Sequence, residues 1–353
     1  MNKNIIAAAV LTLVSGLAAA QSNVTIYGNV DVGLQTQNHT PVGAAKTTMA
    51  NGGISPSIWG FRGTEDLGNG LKATFNLEGH FKPDTGEMES GARTGTNLFR
   101  RQSNVGLSSA NMGTLTLGNQ YGPAVLAFAA TDPRGLRENF SGLYSWAYNS
   151  GVLSGSGNGN NDVGVFLQNA ISYSKAIGPV GLAAGYSVSE KKGAVYSLGA
   201  TYAGPVSLSA SYQQANVANT SERGSRMYSI GAGYSMDALT VKANFLRGDN
   251  KNAALVETSK VNVFGLGAEF KTAANNTVGA SIYFGKDKNN GNDKTNTFIL
   301  SDEYSMSKRT TLYAQLAYAD AKVGSTLLTS VINGGTAANQ NTSVLNVGIK
   351  HSF

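Results

Sequence analysis

The sequence predicts an all-β chain, one antiparallel transmembrane β-barrel of about 16 strands, on three observations. Period-two alternation recurs along the chain, the connections alternate between short and long, and the last segment alternates up to the final residue. Successive strand side chains point to opposite faces, so a wall between lipid and water reads apolar, polar, apolar.

The elements follow in order. Residues 1–20 read as a secretory signal, with Lys3, an apolar run from Ile5 to Leu17, and small residues at Ala18-Ala19-Ala20. The mature chain is expected to begin at Gln21, leaving 353 − 20 = 333 residues as one barrel domain, 21–353, with no break in composition. In Val24 to Leu34 the even positions are apolar or glycine and most odd ones are polar. Leu71, Ala73, Phe75, Leu77 and Phe81 then oppose Lys72, Thr74, Asn76, Glu78 and His80. The pattern returns around Val180–Tyr186, Val206–Tyr212, Tyr228–Tyr234, Leu239–Phe245, Val278–Phe284 and Leu312–Tyr318.

Short turns are expected at Leu67–Gly70, Ser109–Gly113, Ile177–Pro179, Gly204-Pro205, Asp237-Ala238, Ala273–Asn276 and Ser307–Arg309. Longer polar connections fall at His39–Ser55, Pro83–Thr96, Gly122–Gly164, Ala218–Ser225, Asp249–Ser259 and Lys322–Thr342. Turns at one end and loops at the other describe an outer-membrane barrel. A soluble sandwich or propeller also has many strands, but its inner face needs bulkier residues. Here that face is Ala, Val, Leu and Gly, with Tyr173, Tyr186, Tyr212, Tyr234, Phe270 and Tyr318 near segment ends, as lipid-interface girdles require.

Composition narrows function. With 44 glycines, 7 prolines and no cysteine, the chain suits strands and turns and excludes thiol catalysis and Cys-ligated metal. Mean hydropathy is −0.14, and after the signal no apolar run reaches the ~20 residues of a membrane helix. Net charge is +6, or 26 − 21 = +5 without Lys3, and the basic residues are scattered, which argues against nucleic acid. His39, His80 and His351 lack metal-ligand spacing, no Ser/His/Asp grouping or phosphate loop is present, and no enzyme, metal or cofactor is expected. The segment Leu345 to Phe353 reads as a closing strand, since in lipid its backbone must pair with the first strand.

Several stretches carry a family resemblance: Val24–Gly28, Trp59–Ala73, Arg101–Leu107, Gly118–Tyr121, Asn169–Tyr173 and Gly348–Phe353. Together they resemble the trimeric general porins of Gram-negative bacteria, beta-proteobacterial type, in order along the mature chain. The resemblance implies a homotrimer of 16-stranded barrels in outer-membrane lipid, passing ions and small hydrophilic solutes by passive diffusion. It makes Gly122–Gly164 the third loop, folded into the lumen, and Phe353 an assembly signal. Porins of this kind set acidic loop residues against a wall of arginines, and the transverse field sorts solutes by charge.

Residue by residue, the resemblance puts Arg101 at a wall-arginine position and Arg62 at a further basic position, with Lys72 on the same polar wall. Ile58 and Phe166 stand where two other wall arginines are usual, so an aromatic is expected to face the lumen. Asp132 and Glu138 are the candidate acidic groups of the loop, interleaved with Arg134 and Arg137, which implies that positive charge has moved from wall to loop. Arg100, of opposite parity, is expected at a rim or trimer contact. An alternative is a substrate-specific channel with a saturable site around Tyr144, Trp146 and Phe166; the Gly151–Asn161 tract beyond them reads as flexible. A barrel hydrolase or adhesin is a third reading, and no Ser/His pair supports the former.

Overall fold

The computed structural model describes residues 23–40, 43–89, 97–137, 140–142, 158–162, 164–252, 254–289, 294–321 and 340–353. The signal segment, Glu138, Tyr144, Trp146 and Tyr148 lie outside the described residues, as does most of the Gly151–Asn161 tract.

The strands are β1 (Asn23–Gln37), β2 (Lys46–Asn51), β3 (Ile58–Gly68), β4 (Leu71–His80), β5 (Gln102–Ser109), β6 (Gly113–Tyr121), β7 (Asn161–Asp162), β8 (Phe166–Ile177) and β9 (Val180–Ser187). They continue as β10 (Val195–Tyr202), β11 (Val206–Asn216), β12 (Arg223–Met236), β13 (Leu239–Lys251), β14 (Glu257–Ala273), β15 (Asn276–Asp287), β16 (Lys294–Ser305), β17 (Thr310–Ala321) and β18 (Asn341–Ser352). All pair antiparallel in one 18-membered sheet. β2 and β3 run in turn along the same edge of β1, and β7 is a two-residue piece beside β8. The wall therefore has 18 − 2 = 16 strands.

Closure comes from β1 and β18, paired from Asn29↔Ser352 to Gln37↔Val344. Phe353 extends the seam with two backbone bonds, its N–H donating to the Gly28 carbonyl (3.0 Å) and its carbonyl accepting from the Gly28 N–H (3.2 Å). In hydrocarbon such groups have no water to turn to, so the seam must be fully paired.

Each turn expected from the sequence joins two strands where predicted. Between β3 and β4, Asn69 and Gly70 both take positive φ, 54° and 74°, as a two-residue type I′ hairpin requires. The connections differ in two places. A strand, β2, forms inside the expected loop 39–55, and a short helix, α1 (Pro123–Ala129), opens the connection after β6.

The alternation resolves into two faces. Val24, Ile26, Leu198, Leu208, Ile230 and Val347 are exposed on the outside, while inward neighbours such as Asn29, Gln35, Ser211 and Asn346 are buried. Outward aromatics form two bands: Tyr202, Tyr234, Phe270 and Tyr304 toward the turns, and Tyr196, Tyr228, Phe264 and Phe298 toward the loops. Partners in the two bands are six residues apart, about 20 Å along a strand, which marks the apolar belt.

Candidate functional site

Inside the bore, one region concentrates charge. The register Asn29↔Ile58, Tyr27↔Gly60 and Thr25↔Arg62 places Ile58 and Arg62 on the inward face, with Glu78 and Asn76 beside them on β4. Arg62 is exposed, and its guanidinium lies 4.9 Å from the Tyr27 ring centroid. A cation held on an aromatic face keeps its charge and loses freedom of direction.

Arg101 is differently held. It precedes β5, so strand parity does not fix its direction, and its Nε donates to Glu78 Oε1 at 2.7 Å. It also bonds the Tyr121 hydroxyl and stacks over Phe166 at 5.1 Å, leaving it 7% exposed. Phe166 is covered too, at 3% exposure. It packs on Tyr121 and joins Ala124, Val125, Phe128 and Phe140 in one apolar cluster. The expected bare aromatic on the wall is thus corrected: Phe166 supports the segment after β6.

Two other expectations also change. Lys72 faces inward, but its register partner is Asp66 beside the β3–β4 turn, six residues or about 20 Å along β4 from Glu78. It belongs to the turn end of the bore. Arg100 is 5% exposed and buried within the fold of the chain.

The segment from Gly122 to Arg137 runs along the inner wall from β10 to β17. Ser197 Oγ accepts the Ala124 N–H at 2.9 Å, and Thr131 Oγ1 bonds Ser209 and Asn244, both at 2.6 Å. Asp132 is fully buried, taking the Leu136 N–H at 2.6 Å and the Tyr283 hydroxyl at 3.3 Å. Burial pushes its carboxyl pKa up, and these donors with Ser141 pull it back.

Arg134, 2% exposed, donates to Ser301 Oγ (2.6 Å) and to Gln315 Oε1 (2.7 Å), and lies 3.8 Å from Glu303. Arg137 grips the two oxygens of Glu303 at 3.0 Å each. The arginines expected to lend charge to the pore therefore share one wall carboxylate as anchors.

A second inward segment, 52–57, interrupts the wall between β2 and β3. The Asp31 carboxylate accepts the backbone N–H groups of Gly53, Ile54 and Ser55 at 3.1, 3.0 and 2.8 Å and the Tyr313 hydroxyl at 2.6 Å. Only glycine fits at 53, since a Cβ there would stand 2.3 Å from the Tyr313 oxygen. Gln315 joins both inward segments, donating to the Gly53 carbonyl at 2.8 Å while accepting from Arg134.

Glu78, Glu303, Gln315 and the Asp31–Tyr313 pair were not singled out from sequence. One signal was available. The inward face turns apolar at Met227, Leu246, Val261, Val263 and Ile299, all fully buried, and an apolar inner wall means that something covers it.

A family model described as Gram-negative porin matches residues 7–324. The chain belongs to the Gram-negative porin family. Outer membrane porin protein 32 of Delftia acidovorans is 32% identical to this porin, with 100% of both chains covered. Among solved structures, one titled anion-selective porin from Comamonas acidovorans superposes with a TM-score of 0.81 at 29% identity, covering 94% of this chain and 100% of that one. A trimer form of OmpT from Vibrio cholerae superposes with a TM-score of 0.69 at 14% identity, covering 94% and 99%, a likeness of fold alone. The porin is an integral outer-membrane β-barrel with a channel function and no enzymatic one.

Proposed function

We propose that this porin is a general diffusion channel in which segment 122–137 folds into the bore as the constriction loop and leaves a water-filled eyelet along the wall of β1 to β6. Ions and small hydrophilic solutes pass it down their gradients. The observation that carries this reading is the chain of anchors from Ser197 to Glu303, which fixes the loop on one side of the bore and leaves Arg62 exposed on the other.

A modest anion preference follows from the charges that remain. Lys46, Arg62, Lys72, Lys242, Lys271 and Lys350 face inward by register. The acids do not balance them. Glu78 and Glu303 are tied in ion pairs, and Asp31 and Asp287 are buried on backbone N–H groups, which among the described strand residues leaves Asp66 and Glu269. The relative whose title reads anion-selective shares the fold and 29% of its residues, which supports the same sign here.

We further assign the native form as a homotrimer, as in the OmpT form so titled, packed through the aliphatic outward arc that includes Val24, Ile26, Val105 and Val347. Residues 1–20 serve as its secretion signal. A saturable site is the weaker reading, because Phe166 is covered by the loop cluster. Planar-bilayer recordings test the proposal: each insertion should add conductance in three equal levels with ohmic solute flux. A closed barrel, or current that saturates with a single solute, would overturn it.

A further inference from the structure

Along its edge, β1 meets more chain than it can pair. β2 leaves it at Asn51, opposite Val32, and β3 rejoins it at Ile58, opposite Asn29, so the six residues 52–57 stand against Val30 and Asp31 alone. An ordinary bulge inserts one extra residue. Six cannot stay in the plane of the wall, and irregular backbone at membrane depth is tolerated where it is packed in protein or lines a water-filled space. The side chains that hold the segment, Asp31, Asn29, Tyr313 and Gln315, all belong to the inward face, so it turns into the bore.

The hold is complete along the segment. Each backbone N–H from Gly52 to Ser55 has its acceptor on Asp31: Gly52 on the carbonyl at 3.1 Å, Gly53, Ile54 and Ser55 on the carboxylate. Pro56 has no N–H, and its carbonyl accepts from Asn29 Nδ2 at 2.5 Å. Ser57 Oγ accepts the Asp31 N–H at 2.9 Å and donates to the Asp31 carbonyl at 3.1 Å. What faces the bore is therefore fixed. Ser55 and Pro56 are partly exposed while Ile54 is covered, and they stand between Gln315, which holds Arg134 of the loop, and Ile58, which opens β3 ahead of Arg62.

We propose that segment 52–57 is the second jaw of the constriction, with Ser55 and Pro56 setting the size limit for solutes and Asp31 as the positioning residue that holds them there. The proposal rests on segment 122–137 being the opposite jaw. Residues 52–57 carry no charge, and all but Ile54 are small, so the segment narrows the bore without plugging it or choosing a sign. Size is then sorted by neutral backbone on one side and charge by Arg62 on the other.

The test uses full-length Ser55→Cys, in a chain with no other cysteine, reconstituted in planar bilayers and treated with neutral methanethiosulfonates of increasing size. Open-channel conductance should fall on labelling and fall further with each larger reagent. Asp31→Asn, which turns an amide N–H₂ against the N–H donors, should admit larger polyethylene glycols into the bore than the native channel does. If that variant fails to assemble, the labelling result decides. A Ser55→Cys channel whose conductance is the same before and after exposure to the reagents, or an Asp31→Asn channel with the native polymer cut-off, would overturn the proposal. Ser229→Cys, inward but 1% exposed, tells the two readings apart: it should stay unlabelled, and its labelling would remove the loop on which the second jaw closes.

Discussion

Arg62 and Arg101 show how the same side chain acquires opposite roles. Both guanidinium groups lie over aromatic rings, but Arg101 also has Glu78 at 2.7 Å and is 7% exposed, whereas Arg62 is open to the bore. A unit charge at ~4 Å in water interacts by about 1 kcal/mol, which favours an anion and opposes a cation by roughly fivefold each, less under salt screening. Arg62→Gln is therefore expected to cut the anion/cation permeability ratio several-fold, with roughly 25-fold as the unscreened ceiling, without changing thermal stability. Arg101→Gln should do the reverse: it strands Glu78, 4% exposed, as an uncompensated charge, at a cost on the order of 3 kcal/mol. Heat-modifiability on gels, alongside reversal potentials, separates the two effects.

Among the elements, the loop after β6 and the inward segment 52–57 depend on each other through one side chain. Gln315, 1% exposed, is the only residue among the described ones that hydrogen-bonds both Gly53 and Arg134. Gln315→Leu keeps the volume and removes both bonds, leaving a buried guanidinium with fewer acceptors. Unmade buried bonds cost about 1–3 kcal/mol each, more when charged. Single-channel traces of this variant should show more frequent partial closures at unchanged selectivity; a trace as quiet as the native one would refute the coupling. Glu303→Gln should have the larger effect, since Arg134 and Arg137 both turn to that carboxylate and burial already disfavours the charged form of Arg134.

Over the whole molecule, closure is the step on which everything else rests. Deleting Phe353 removes two reciprocal backbone bonds with Gly28 and leaves those groups open at the lipid seam, where each costs several kcal/mol. When the purified chain is refolded in detergent, where recognition of the terminal side chain plays no part, folded yield should fall sharply, while Phe353→Ala, which keeps the backbone pair, should still close; equal yields from the two would show that the seam bonds are unimportant. The wall was legible in the sequence because period-two alternation and turn chemistry are local: the strand from Val206 and the Asn69-Gly70 hairpin can each be read within a dozen residues. The interior was not, because its partners are distant. Arg134 meets Gln315 and Asp31 meets Tyr313 across most of the chain, and no short window couples them. Arg134 and Arg137 were readable as loop arginines but not as anchors, since Glu303 gives no local sign of its role. The measurement that bears most directly on the proposed pore is the zero-current potential of a single reconstituted trimer in a tenfold KCl gradient. A stable open channel with a potential on the chloride side, reduced in Arg62→Gln, is the expected result; a potential on the potassium side, or one that Arg62→Gln leaves untouched, would contradict it.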